Sequence, residues 1–182
     1  MQTLKLTTLC RRIAPTLVIP VLAAVLLTLS GTLSLAQTPK EIGKFRDWVA
    51  YIYKTDQDHV CYATSWPKKS APKGVKRGEI YLAVSHRPRK KVVGEVSVVV
   101  GYPFKNGTEA IAEIKGKTYS MPTRGERAWA VDAAEDRRLI KGMKAGSRAI
   151  VRGISSRGTK TTDNYSLLGF TAAYNAITRA CK

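Results

Sequence analysis

Apolar and polar positions alternate with a period of two in a series of short segments of the chain. In EIYLAVSHR, Ile80, Leu82, Val84 and His86 fall on one face, while Tyr81, Ala83 and Ser85 fall on the other. In EVSVVVGYPF, Val96, Val98, Val100 and Tyr102 line up against Glu95, Ser97 and Val99. FRDWVAYIYK, EAIAEIKG, KTYSMP, RAWAVD and RAIVRGIS are further short strand candidates. Turn-forming clusters separate them: APKG, HRPRKK, FKNGT, IKGK and PTRGE. Asn106-Gly107 reads as a hairpin turn, since this pair accepts positive φ at low cost. Many short strands at such spacing predict an all-β fold, an antiparallel β-sandwich or a partly closed barrel.

The period changes to a helical one in two places. DAAEDRRLIKGMKAG opens on Asp132 with Glu135 three positions on, a capping-box spacing, and presents Leu139, Ile140 and Met143 on one side. Gly146 is placed to end this short internal helix in the left-handed conformation. In the C-terminal segment Phe170, Tyr174, Ile177 and Cys181 are spaced four, three and four, so they share one helix face. The stretch before it, SSRGTKTTDNYS, reads as a polar loop whose TTDNYS end continues as loop or strand.

The first 36 residues are of another kind. Lys5, Arg11 and Arg12 precede a long uncharged apolar run, which closes on the small-residue site Ser34-Leu35-Ala36. This is the layout of a secretory signal, with cleavage expected after Ala36 and residues 37–182 left as a single domain. The run from Ile13 to Leu35 is also long enough to cross a bilayer of ~30 Å, so an uncleaved anchor is the alternative. Ser30 and Gly31 loosen the helix ahead of the small-residue site and favour removal. Cys10 lies before the apolar run without the small residues of a lipoprotein box, so no lipid anchor is expected. The address that follows is the periplasm, the outer envelope or the exterior.

Export changes the reading of the cysteines. Beyond the leader only Cys61 and Cys181 remain, and an even count in an oxidising compartment argues for a disulfide. Cys181 shares a face with core-type residues, and Cys61 lies in the strand-like run DHVCYATSW. A Cys61–Cys181 bond would tie the last helix to an early strand. An intermolecular bond and a free catalytic thiol are the alternatives, and the thiol would need a histidine partner. His59 and His86 are the two histidines; His59, two residues from Cys61, reads as a half-exposed strand residue.

Motifs that carry chemistry fail on inspection. Gly153 and Gly158 have the glycine spacing of a phosphate loop, but Thr159 intervenes before Lys160 and no helix follows, so a β-turn is expected. No metal-ligand motif and no G-x-S-x-G elbow is present. A Ser156–Lys160 pair can be drawn as an unrecognised serine-type hydrolase, yet it would require a desolvated lysine in a polar loop. Glu109 and Glu113 sit on surface-like strands. The chain reads as a non-enzyme with no cofactor.

Positive charge is the remaining signal. Of 31 Lys and Arg, three lie in the leader, which leaves 28 against 13 Asp and Glu and a net charge of +15. Arg137, Lys141 and Lys144 form a stripe along the internal helix, and Arg87, Arg89, Lys90 and Lys91 crowd one loop. Together they make a candidate anion-contact surface for lipopolysaccharide, acidic membrane lipid, an acidic protein or a host polyanion. The plain reading is a basic surface that keeps a small exported domain in solution. Nucleic acid would use the same electrostatics, but export separates the chain from cellular DNA. Trp48, Trp66 and Trp129 read as sandwich-core or strand residues, with no aromatic stacking platform expected.

Several blocks carry a resemblance. CYATSWP, RGEIYLAVSHRP, GEVSVVVGYPF, RGTKTTDNYSLLGF and the closing Cys181 are similar to those of the invasion-associated locus B family. These are exported proteins of alphaproteobacteria, named from a factor linked to host-cell entry. The resemblance covers nearly all of residues 37–182 and rests on an ordered series of blocks, none of them catalytic. It implies an all-β periplasmic or outer-envelope domain with a C-terminal helix, and a role in invasion or envelope adaptation without an established reaction. It carries over no functional residues.

Overall fold

The computed structural model describes residues 38–182; the expected leader and its cleavage site lie outside the described residues. Twelve strands and two helices follow one another. The strands of the first sheet are β1 (Lys40–Phe45), β2 (Trp48–Lys54), β3 (His59–Ser65), β5 (Tyr81–Arg87), β6 (Val92–Val99), β9 (Thr123–Arg124) and β10 (Arg127–Trp129). Those of the second are β4 (Lys69–Ala71), β7 (Ala110–Ile114), β8 (Lys117–Met121), β11 (Arg148–Ile154) and β12 (Lys160–Ser166). Helix α1 spans Ala133–Ala145 and α2 spans Phe170–Ala180.

The first sheet runs in the order β1-β2-β3-β5-β6-β10-β9 and the second in the order β4-β12-β11-β7-β8. All paired strands are antiparallel. Each sheet has two free ends, so the fold is a sandwich and not the barrel that was the other expectation. Alternation decides the faces. Ala63, Val84, Val96 and Val98 turn inward and are buried, whereas Tyr62, Ser85 and Glu95 turn outward. The inner faces of both sheets and the apolar sides of both helices make one core. Among the described residues, no helix is long and apolar enough to cross a membrane.

Both helices form where the spacing predicts them. Asp132 caps α1: its Oδ1 accepts from the backbone N–H groups of Ala134 and Glu135, each at 2.8 Å. Such a cap stabilises a helix by about 1 kcal/mol. Glu135 pairs with Arg138 at 3.2 Å. Leu139, Ile140 and Met143 are buried as expected. Gly146, by contrast, is extended, with φ −98° and ψ 163°. Its role is space: a Cβ there would lie 2.9 Å from Ile114 Cγ2 and 3.1 Å from the Gly142 carbonyl oxygen.

Helix α2 lies on the inner face of the first sheet. Phe170 is fully buried and meets the Trp48 ring edge-on, with centroids 4.9 Å apart. Trp48 Nε1 donates to the Ser166 carbonyl at 3.0 Å, so the ring is buried with its polar atom satisfied. Gly169 opens the helix at φ +93°, and a Cβ there would fall 1.8 Å from the Phe45 carbonyl oxygen. Only glycine meets both demands.

Two local readings change, and two others are filled in. FRDWVAYIYK is broken by a turn at Arg46-Asp47, with Arg46 at φ +55°, so Phe45 ends one strand and Trp48 begins the next. Asn106-Gly107 forms a turn, closed by Thr108 N–H donating to the Lys105 carbonyl at 3.1 Å, but it joins no paired strands. Phe104 bridges to Ser155 instead. The tight β7–β8 hairpin is made by Lys115-Gly116, at φ +52° and +74°. Of the two readings open for TTDNYS, strand is the one found: Lys160–Ser166 form β12 inside the second sheet, with Thr161, Asp163 and Tyr165 buried.

Candidate functional site

Helix α1, α2 and the start of β6 enclose an open groove of about 710 Å³. Arg137, Lys141 and Lys144 project from α1 into its rim, and Val93, Ile140 and Tyr174 supply apolar surface. Val93 is 68% exposed. Lys144 Nζ stands 4.2 Å from the centre of the Tyr174 ring, within cation–π range. None of the three cations is in an ion pair among the described residues. The helical spacing of the stripe thus becomes one cationic surface over an apolar floor.

The groove exists because β6 carries a bulge. The register between β5 and β6 shifts at Ser85/His86, leaving Gly94 as the extra residue at φ +78°. A Cβ at Gly94 would meet Ile140 Cδ1 at 2.6 Å and Tyr174 Oη at 3.2 Å. The missing side chain is what lets the two helices close on the strand. His86 holds the bulge from within: its Nδ1 accepts from Gly94 N–H at 2.9 Å. Its Nε2–H therefore donates to Thr178 Oγ1 at 3.0 Å, and that hydroxyl donates to the Tyr174 carbonyl at 2.8 Å. Burial lowers the His86 pKa and keeps the ring neutral.

Asp136 lies beneath this region, 8% exposed, and accepts from Val96 N–H at 2.8 Å. Burial pushes its pKa up to about 6; the charges of Glu95 and Asp132 add to this, while the Val96 bond and Arg137 oppose it. Tyr174 is also raised, first by burial and then by the charge of Asp136.

Basic residues that sequence reasoning missed extend the surface. Lys115, Lys117 and Arg138 line a second cavity on the other flank of α1, and Lys141 borders both. Lys115 and Lys117 sit at the β7–β8 hairpin, far from α1 in sequence, so no spacing rule joins them to the stripe. The other predicted cluster is set apart from it. Arg87 is ion-paired with Glu95, and Arg89 donates to the Asp56 carbonyl. Arg87 and Lys90 line the outer face of the first sheet. Lys91 follows a 3-10 turn at Pro88–Lys90, with φ +55°.

Cys61 on β3 and Cys181 at the end of α2 are bonded, with Cα atoms 5.9 Å apart across a separation of 120 residues. The intramolecular pairing is the arrangement found. His59 Nε2 lies 3.7 Å from Cys61 Sγ. The three donors gather within 4.8 Å, but the disulfide engages both sulfurs and leaves the imidazole as the one free ligand of that cluster. Ser156 and Lys160 flank the β11–β12 turn, and both are exposed. Ser155 N–H bonds the Thr159 carbonyl at 2.9 Å, and Gly158 has φ +85°. The turn expected here forms, and Lys160 is solvated where a general base would need to be dry. Of the tryptophans, Trp48 is core and Trp129 is half-buried on β10, but Trp66 is 48% exposed.

A disulfide-pinned antiparallel sandwich, with its last helix laid on the inner face of one sheet, is the class these features define. The model of the invasion associated locus B (IalB) protein family matches residues 48–178, and the chain belongs to that family. Among solved structures, the crystal structure of invasion associated protein B from Bartonella henselae is similar, with a TM-score of 0.53 and 13% identity. The match covers 76% of this chain and 95% of that one. At such identity the likeness is one of fold. No curated protein matches the chain.

Proposed function

We propose that this chain is an exported envelope module without catalytic activity, which docks on anionic amphiphiles through the α1–α2 groove. One observation carries the reading: Arg137, Lys141 and Lys144 converge, unpaired, around the exposed Val93 and the Tyr174 ring. Cations over an apolar floor suit a phosphate headgroup on acyl chains, the chemistry of lipopolysaccharide and acidic lipid. The disulfide and the leader-like first 36 residues support an address in the periplasm or at the outer envelope. A contribution to host-cell entry or to envelope adaptation would run through this contact.

Two columns test it. Charge reversal at Lys141 and Lys144 should weaken retention on both immobilised heparin and immobilised lipopolysaccharide. Val93→Asp should weaken retention on lipopolysaccharide and leave heparin unchanged, because heparin offers charge without acyl chains. Retention on lipopolysaccharide that ignores both changes would refute the reading.

A further inference from the structure

The outer face of the first sheet, turned away from α2, bears a trough of about 530 Å³ that the groove does not include. Its floor is a cross-strand row of short side chains, Thr64 on β3, Ala83 on β5 and Ser97 on β6. These are only 6%, 8% and 7% exposed, yet among the described residues no layer of the fold covers the face; the ridges on either side bury them. Two residues before and after Thr64 stand Tyr62 on β3 and Trp66 just beyond its end. The Tyr62 ring stacks on Tyr51 with centroids 5.2 Å apart and 24° between planes. Tyr81 joins Trp66 on the far ridge. These rings come from three strands and meet only through the register.

Thr64 gives the trough its second mark. Its Oγ1 is buried with no hydrogen-bond partner among the described residues. Ser65 Oγ and Tyr165 Oη are buried without a partner as well, but Thr64 alone of the three lines the trough, and such hydroxyls are rare in folded proteins.

The walls also hold Asp58, Glu79 and Glu95 against Arg87, Lys90 and Arg127. Three acids against three bases make this a balanced patch on a strongly basic chain. A polyanion has no electrostatic reason to choose it over the α1 surface. An extended peptide is poorly served as well, since β3 and β5 are paired on both sides and their backbone groups are engaged in the ladder. What remains is flat aromatic faces, with Asp58 and Glu79 to accept from hydroxyls and Lys90 and Arg127 to donate, Arg87 and Glu95 being engaged with each other. A sugar ring offers the match: an apolar C–H face bounded by hydroxyl edges.

We propose that this trough is a second binding site, for a neutral oligosaccharide. Trp66 and the Tyr51–Tyr62 pair stack on successive sugar faces, and Thr64 bonds a hydroxyl at the floor. The site lies on the other side of the sheet from the α1–α2 groove, so the two ligands do not compete.

The test uses the full chain, expressed with its leader and purified from the periplasm, on an array of neutral, sialylated and sulfated glycans. Neutral glycans should be retained, and raising salt should leave that retention unchanged. Trp66→Ala and Tyr62→Ala should each weaken it roughly tenfold or more, the effect of losing an aromatic anchor. Thr64→Val should weaken it without lowering the melting temperature, since the isosteric change removes an unpaired hydroxyl. Lys141→Glu with Lys144→Glu should leave it intact, which separates this site from the groove. Retention of acidic glycans alone, of no neutral glycan, or equally by all three trough variants would overturn the proposal. So would sedimentation as a dimer that Trp66→Ala dissociates, because the face would then be covered by a second copy.

Discussion

Arg77 and Asp163 form a buried, two-pronged ion pair, with Nη1 to Oδ1 at 2.8 Å and Nη2 to Oδ2 at 2.5 Å. Their side chains are 6% and 1% exposed. Arg77 also donates from Nε to the Val100 carbonyl at 2.9 Å and lies over the Tyr102 ring at 5.1 Å. A residue of the β4–β5 connection thereby joins the segment just after β6 to β12 in the other sheet. Removing one partner leaves the other charged and dry, which costs about 3–5 kcal/mol. Asp163→Leu should lower the urea-unfolding free energy by that order. The double change Arg77→Met with Asp163→Leu should be less damaging than the single one, and a double mutant worse than the single would contradict this account.

Asp136 should give the domain an unusual pH dependence. Its pKa is raised to about 6 from 3.8, so between these values the folded state holds more protons than the unfolded state. This contribution therefore falls as pH rises from about 4 to 6, by at most about 3 kcal/mol. His86 acts in the opposite sense: its pKa is lowered, so its share is lost as pH drops below 6.5. Asp136→Asn keeps the acceptor for Val96 N–H and removes the charge. It should raise the melting temperature at neutral pH and leave the decline on the acid side attributable to His86. A variant that is no more stable than the parent at neutral pH would count against this.

The Cys61–Cys181 bond closes most of the domain, and a loop of that length stabilises by roughly 4–5 kcal/mol in the chain-entropy picture. Cys61→Ser with Cys181→Ser should shift the denaturation midpoint down accordingly. Adding reductant to the parent should reproduce the loss, and adding it to the variant should do nothing.

Gly169→Ala tests the seat of α2. The new Cβ would meet the Phe45 carbonyl at 1.8 Å in a backbone conformation that alanine avoids. We expect loss of the cooperative transition, or a melting temperature reduced more than by Gly107→Ala, where a Cβ meets nothing within 4 Å.

How far the sequence reveals the molecule depends on what each position faces. The period-two runs around Val84 and Val98 are legible because their inward residues are aliphatic. Strand β12 is legible only as loop or strand, since it turns Thr161, Asp163 and Tyr165 inward, and Thr161 and Asp163 read as polar until their partners are known. Thr161 Oγ1 meets Tyr102 Oη at 2.5 Å, and Asp163 has Arg77. Both partners lie far away in the chain. The stripe Arg137-Lys141-Lys144 is readable from helical spacing alone, because all three lie on one element. Val93 and Lys117, which make the stripe into a basic surface with an apolar floor, come from other strands. The outer trough was hidden for the same reason: Tyr51, Tyr62 and Tyr81 are neighbours only through strand pairing.

Partition onto vesicles tests the docking account most directly. The chain freed of its first 36 residues, titrated with anionic phospholipid vesicles over a range of salt, should bind and release as salt rises. Each basic side chain near such a surface contributes about 1 kcal/mol. Replacing Arg137, Lys141 and Lys144 by Gln should then weaken partition by about a hundredfold, at roughly 1.4 kcal/mol per factor of ten. It should flatten the salt dependence as well. Equal partition of parent and triple variant, at every salt concentration, would contradict the assignment of the α1–α2 groove as the docking site.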